Sequence, residues 1–158
     1  MNNQGILVCH TQGNASYTSF NAYELTEKVQ NPVWIIYPDT MELPVSRILM
    51  VDVVNEPRII SYALKLSELL RTTLEIALKD TEENDLVNVQ NNNEKNNNLF
   101  FTVYSYSKTK ELMNYAKESN AGLLVMKKEK GSFVRDISGN NRTKNMILKS
   151  KTPVLVFH

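Results

Sequence analysis

Few side chains in this sequence are placed to do chemistry, and each has a plain structural role beside the chemical one. His10 and His158 are the only histidines. His10 follows an apolar run, where an imidazole can act as a general acid or base. Catalysis of that kind needs three placed groups, and no carboxylate lies near His10 in sequence. His10 therefore reads as a polar loop residue. Cys9 is the only cysteine; it cannot form an internal disulfide and reads as a small buried hydrophobe. Cys9 and His10 together are too few to bind a structural metal. Asp52 ends the run "RILMVD" and reads first as a cap for the turn into the next helix. From Lys127 to Lys151 there are eight Lys/Arg against two Asp/Glu. Such a basic rim beside a helix N-terminus can hold an anion, but it also describes an ordinary solvated face. No catalytic constellation and no metal site is expected.

Composition sets wider bounds. The chain has 158 residues, 42% of them hydrophobic and 22% charged, with a formal net charge of +1. These are the proportions of a globular domain. The charge is too near zero to attract nucleic acid or a membrane surface, and the tyrosines and Trp34 lack the interleaved basic residues of a base-stacking platform. No apolar stretch approaches the roughly 18 residues of a membrane span, and Met1-Asn2-Asn3-Gln4 is unlike a signal peptide. A lone thiol suits a reducing compartment, so a cytoplasmic location is expected.

The elements that must position these residues follow from short apolar runs. Strands are expected at Ile6–Cys9, Val33–Tyr37, Arg47–Val53, Thr73–Leu78, Leu99–Tyr104, Leu123–Met126 and Val154–Phe157. Several are apolar throughout, as in a parallel sheet covered on both faces. Helical spacing marks Pro57–Leu70, with Pro57 in its first turn. It also marks Ser107–Asn120, with Ser107 as N-cap and Gly122 past the end, and Asn141–Ser150. The asparagine-rich second half of Asp80–Asn98 reads as a surface loop. Strand–helix alternation from Arg47 onward predicts an α/β domain.

The chain also repeats itself. "GILVC" at Gly5 is similar to "GLLVM" at Gly122, and "TEKVQNPVWII" is loosely similar to "TKNMILKSKTPVLVF". Both blocks run strand, polar loop, helix, proline, strand. The first loop is taken as "CHTQGNASYTSFN". A partial repeat over residues 1–40, ahead of a complete domain over 41–158, is the expected organisation.

This pattern resembles the universal stress protein family. "RILMVDVVNEP" resembles its first strand and turn, "YALKLSELL" its first helix, "AGLLVMKKEKGSFV" its fourth strand and glycine loop, and "KSKTPVLVFH" its last strand. The resemblance implies a five-stranded parallel sheet in order 3-2-1-4-5 with helices on both faces, preceded by a strand–helix–strand repeat. It also implies a tandem-type member holding only the end of its first domain. Ligands in such sheets sit at the carboxyl ends of the strands. In the family's nucleotide-binding branch, Asp52 would touch the ribose, and Gly131, Gly139, Asn140 and Asn141 would lie about the phosphates. The branch's Gly-x-x-Gly, nine residues, then Gly-Ser or Gly-Thr falls here on Lys127, Lys130, Asn140 and Asn141; none is glycine, and side chains block close backbone approach. "ILMVD" also resembles the first strand of receiver domains. That reading fails because Val53 follows Asp52 and "LFFTVYSYS" has no aspartate. The expectation is a non-enzymatic, cytoplasmic stress-response protein without a cofactor, forming a homodimer and binding partners or small ligands. The alternative is a degenerate member with weak ATP or AMP affinity.

Overall fold

A computed structural model describes residues 6–10, 15–37, 40, 44–53, 55–79, 102–129 and 141–158. The strands are β1 (Leu7–His10), β2 (Val33–Ile36), β3 (Arg47–Val51), β4 (Thr73–Lys79), β5 (Thr102–Tyr106), β6 (Leu123–Lys127) and β7 (Val154–Phe157). The helices are α1 (Ala15–Lys28), α2 (Pro57–Leu70), α3 (Thr109–Glu118) and α4 (Arg142–Lys149). The asparagine-rich tract lies outside the described residues.

Local chemistry sets the helix boundaries. Pro57 starts α2, whose buried stripe is Ile59, Ala63, Leu66 and Ser67. Its exit is Arg71 in the left-handed region at φ 52°. There the Thr72 N–H donates to Ser67 O at 3.0 Å, so the chain turns without the usual glycine. Ser107 is not the cap of α3, as the sequence suggested. The helix begins at Thr109, and Glu111 reaches back to accept from the Ser107 N–H at 3.0 Å, the Ser107 hydroxyl at 2.8 Å and the Lys108 N–H at 3.2 Å. These bonds favour the ionised carboxylate and hold Glu111 below its ordinary pKa. At the other end of α3 the left-handed residue is Asn120, at φ 52°, rather than Gly122. Gly122 serves a different need: a Cβ placed there would stand 2.7 Å from Val45 Cα. The stretch read as a polar loop, Cys9–Asn21, is helical from Ala15 on.

All seven strands form one sheet in the order β1-β2-β7-β6-β3-β4-β5. This corrects the expected five-stranded parallel sheet: the strands of the expected repeat join it, making seven, and the sheet is mixed. Counted from Arg47, the succession 3-2-1-4-5 runs from β5 to β7 within the larger sheet. β2 continues it by pairing antiparallel to β7, with Val33 opposite Val156 and Ile35 opposite Val154; every other pair is parallel. The physical reason is the apolar outer edge of β7. An exposed Val-Leu-Val edge would invite pairing with another chain, and β2 fills it from within. Both Val33 and Ile35 are fully buried.

Helices cover both faces among the described residues. One core joins Leu49, Leu124, Met126, Val154 and Val156 to Leu112 of α3, Met146 and Ile147 of α4, and Ala22 and Tyr23 of α1. The other sets Ile48, Met50, Ile76, Leu123 and Val125 against Ile59, Ala63 and Leu66 of α2. Residues of β3 and β6 thus alternate between two interiors, which is why these strands read as unbroken apolar runs. No helix among the described residues is long and apolar enough to cross a membrane.

Gly122→Ala is expected to destabilise the fold by about 1–3 kcal/mol, because the new methyl meets backbone atoms of Val45 that cannot swing away. Urea midpoints of wild type and variant measure this, and equal midpoints would show that residues 44–46 yield freely.

Candidate functional site

The carboxyl ends of β3, β4 and β5, the residues after β6 and the start of α4 converge on Asp52. The residue follows β3 with φ 49°, a left-handed conformation that a short polar side chain tolerates better than most. Its N–H donates to Ala77 O on β4 at 3.0 Å. This fixes the carboxylate in the interior, where it is only 3% exposed. Oδ1 accepts from the Lys79 N–H at 3.0 Å. Oδ2 accepts from the Tyr106 hydroxyl and from Arg142 Nη1, which forms an ion pair with it. Arg142 Nη1 also lies 3.2 Å from the Tyr106 hydroxyl oxygen. Burial lowers the pKa of the Arg142 guanidinium, but an arginine keeps its charge under all ordinary conditions.

A second carboxylate closes the other side. Glu129, just past β6, accepts the Arg142 N–H at 2.9 Å through Oε2, and its Oε1 stands 3.7 Å from Arg142 Nη2. The Glu129 N–H in turn donates to the Thr143 hydroxyl at 3.0 Å. Glu129 thus puts a negative charge at the positive end of α4, as an incoming anion would. Arg142 is held between two acids of its own chain.

The residues singled out in the sequence fare unequally. Asp52 lies in the crevice, but its oxygens are taken by Lys79, Tyr106 and Arg142. Asn141 is the N-cap of α4: its Oδ1 accepts from the Lys144 N–H at 3.0 Å and its Nδ2 donates to the Tyr23 hydroxyl at 2.9 Å. Gly131, Gly139 and Asn140 lie outside the described residues. Tyr106 and Arg142 were not singled out; they stand 54 and 90 residues from Asp52 in sequence, and only the fold joins them.

Among the described residues, the cations of the basic run at this end of the sheet have partners. Lys127 pairs with Glu56. Lys128 pairs with Glu27 at 3.0 Å and donates to Thr26 O at 3.2 Å. Lys144 lies over the Tyr23 ring, 5.7 Å from its centre. His10 closes β1 rather than following it. The pKa of His158 is lowered by burial and by Lys128, with Glu27 opposing. Cys9 is half-buried against the core rather than wholly buried, and burial raises its thiol pKa, away from the reactive thiolate. Among the described residues no three His, Cys, Asp or Glu side chains gather as metal ligands would.

Removing Arg142 would leave the Asp52 charge buried without its cation. Arg142→Met is expected to cost about 2–4 kcal/mol, and Tyr106→Phe about 1–2 kcal/mol. In urea unfolding, Asp52→Ala with Arg142→Met should cost less than the sum of the two singles. Strict additivity would show that the pair is not coupled.

No protein-family profile matches the chain, and no curated protein matches it in sequence. Its fold does match solved structures. A universal stress protein from Archaeoglobus fulgidus DSM 4304 aligns with a TM-score of 0.74 at 18% identity, over 96% of this chain and 60% of that one. A functionally unknown protein from Pseudomonas aeruginosa PAO1 aligns at 0.72 and 14% identity, over 97% and 62%. A universal stress protein in complex with cAMP aligns at 0.58 and 16% identity, over 73% and 98%. The chain spans about three-fifths of the length of the first two structures. At these identities the likeness is one of architecture: this chain has the fold of universal stress proteins.

Proposed function

We propose that the chain is a universal stress protein of the tandem type, with a partial repeat over residues 1–40 and a complete domain over 41–158. It works in the cytoplasm without catalysis, through dimerisation and through binding of partners or small ligands. One observation carries the non-catalytic, nucleotide-free part of this reading. The Asp52 carboxylate is saturated by Lys79, Tyr106 and Arg142, and Glu129 already occupies the N-terminus of α4. A nucleotide entering there would have to displace charge-assisted bonds that are among the stronger kind in proteins. Support for a homodimer comes from β1, an edge strand with uncharged outer residues. Leu7 and Val8 on it are 40% and 58% exposed, and such an edge readily accepts another strand.

A weak ATP- or AMP-binding protein is the second reading. What favours it is the fold shared with a universal stress protein that was solved in complex with cAMP.

Millimolar ATP or AMP with magnesium is expected to leave the melting temperature unchanged. Binding at one hundred times Kd would add about 2.7 kcal/mol, or several degrees for a chain of this size. A rise of that order, lost in Asp52→Ala, would overturn the first reading in favour of the second. Light scattering tests the assembly: a dimer at micromolar concentration is expected, weakened by Val8→Lys. A monomer in both proteins would remove dimerisation from the proposal.

A further inference from the structure

A groove of about 810 Å³ runs beneath the opposite end of the sheet. Its floor is formed where the chain enters three parallel strands: Val45 before β3, Gly122 before β6 and Pro153 before β7. The missing Cβ of Gly122 lets that floor close, with Val45 Cα in the space a side chain would need. Because β2 runs antiparallel to β7, its last turn of strand comes down to this end. Trp34 and Ile36, alternate residues on one face of β2, form an apolar wall, and Met113 of α3 adds another apolar surface.

Charge on the groove is one-sided. Lys117 from α3, Lys149 from the end of α4 and Lys151 beyond it line the groove and are exposed, and no acidic residue is among the described residues that line it. This contrasts with Lys127, Lys128 and Arg142 at the crevice end, each paired with a carboxylate of the chain. An apolar wall beside cations that pair with no described carboxylate fits one class of ligand. A bare phosphate would gain nothing from Trp34, Ile36 and Met113, and a neutral lipid or sugar would gain nothing from the charge of the lysines. We propose that the groove binds an amphipathic monoanion, its hydrocarbon or ring against Trp34, Ile36 and Met113 and its carboxylate among Lys117, Lys149 and Lys151. This gives the small-ligand part of the proposed function a place, and it stands whether or not nucleotide enters the crevice.

Trp34 is the only tryptophan of the chain, so its fluorescence reports on this groove. The probe is decanoate, titrated below its micellar concentration, with decyltrimethylammonium and decanol as cationic and neutral counterparts of the same length. Decanoate is expected to change the Trp34 emission saturably, and both counterparts to bind about tenfold more weakly or not at all. Lys149→Glu with Lys151→Glu should weaken decanoate by about tenfold while the far-ultraviolet circular dichroism stays as in wild type. That factor follows from two exposed ion pairs worth up to about fivefold each. An unsaturable change in emission, equal binding of the cationic analogue, or full retention of decanoate by the double variant would overturn the proposal. The readout lies at the far end of the sheet from Asp52, so failure here is distinct from failure of the nucleotide-free reading.

Discussion

The antiparallel pairing of β2 on β7 is the constraint from which the rest of the structure follows. Val33 and Ile35 are buried only because Val156 and Val154 lie opposite them. Each such side chain contributes about 1.5–3 kcal/mol by leaving water. Once β2 is docked, β1 pairs with it in parallel and α1 is carried onto the face already occupied by α4. From there Tyr23 reaches the Asn141 amide, which caps α4 and so fixes the residue that begins the helix, Arg142. The Tyr37 hydroxyl, just past β2, donates to Ile147 O of α4 at 2.6 Å. A segment from the first quarter of the chain thereby braces α4 at its N-cap and again in its last turn.

Arg142 shows what that bracing makes possible. A cation this buried is costly unless its donors are met. Asp52 and Glu129 meet it from two sides, through the guanidinium Nη atoms and the backbone N–H, while the buried Nε makes no hydrogen bond. The same residues complete the capping of α4 and close the carboxyl ends of β3, β4 and β5 around Tyr106. Helix capping, strand-end pairing and occupation of the crevice are thus one network.

Features legible in the sequence were those fixed by neighbours along the chain. α2 runs from Pro57 to Leu70 as its period and proline require, and β7 occupies Val154–Phe157 as read. α1 was lost in part because Ser, Thr and Asn around residues 16–21 have weak helix propensity, and packing against α4 overrides it. The start of α3 was misplaced because Glu111, not Ser107, supplies the acceptor. Asp52 was visible as a strand end, but not its partners, because Tyr106 and Arg142 meet it only when three strand ends and a helix come together. Asn141, which the nucleotide-binding alternative would set about the phosphates, caps α4; both roles ask for a polar side chain at a helix N-terminus.

The two ends of the sheet then differ in how their charges are settled. At the carboxyl ends, Arg142 has Asp52 and Glu129, Lys127 has Glu56 and Lys128 has Glu27, while Lys144 lies over the Tyr23 ring. At the amino ends, the polar carboxylate network centred on Glu75 is likewise complete, with Arg47 at 3.0 Å and the Tyr115 hydroxyl at 3.0 Å. Lys117, Lys149 and Lys151 lie outside it, beside apolar surface rather than acids. A fold that inherits its ligand crevice from parallel-strand geometry keeps that crevice whatever its sequence becomes. Among the described residues at that crevice, Asp52, Tyr106, Arg142 and Glu129 bond to one another. Antiparallel addition of β2 creates apolar surface at the other end, which the parallel strands alone would not provide. The added strand thus contributes Trp34 and Ile36 to a groove that lies away from the switch point of the sheet.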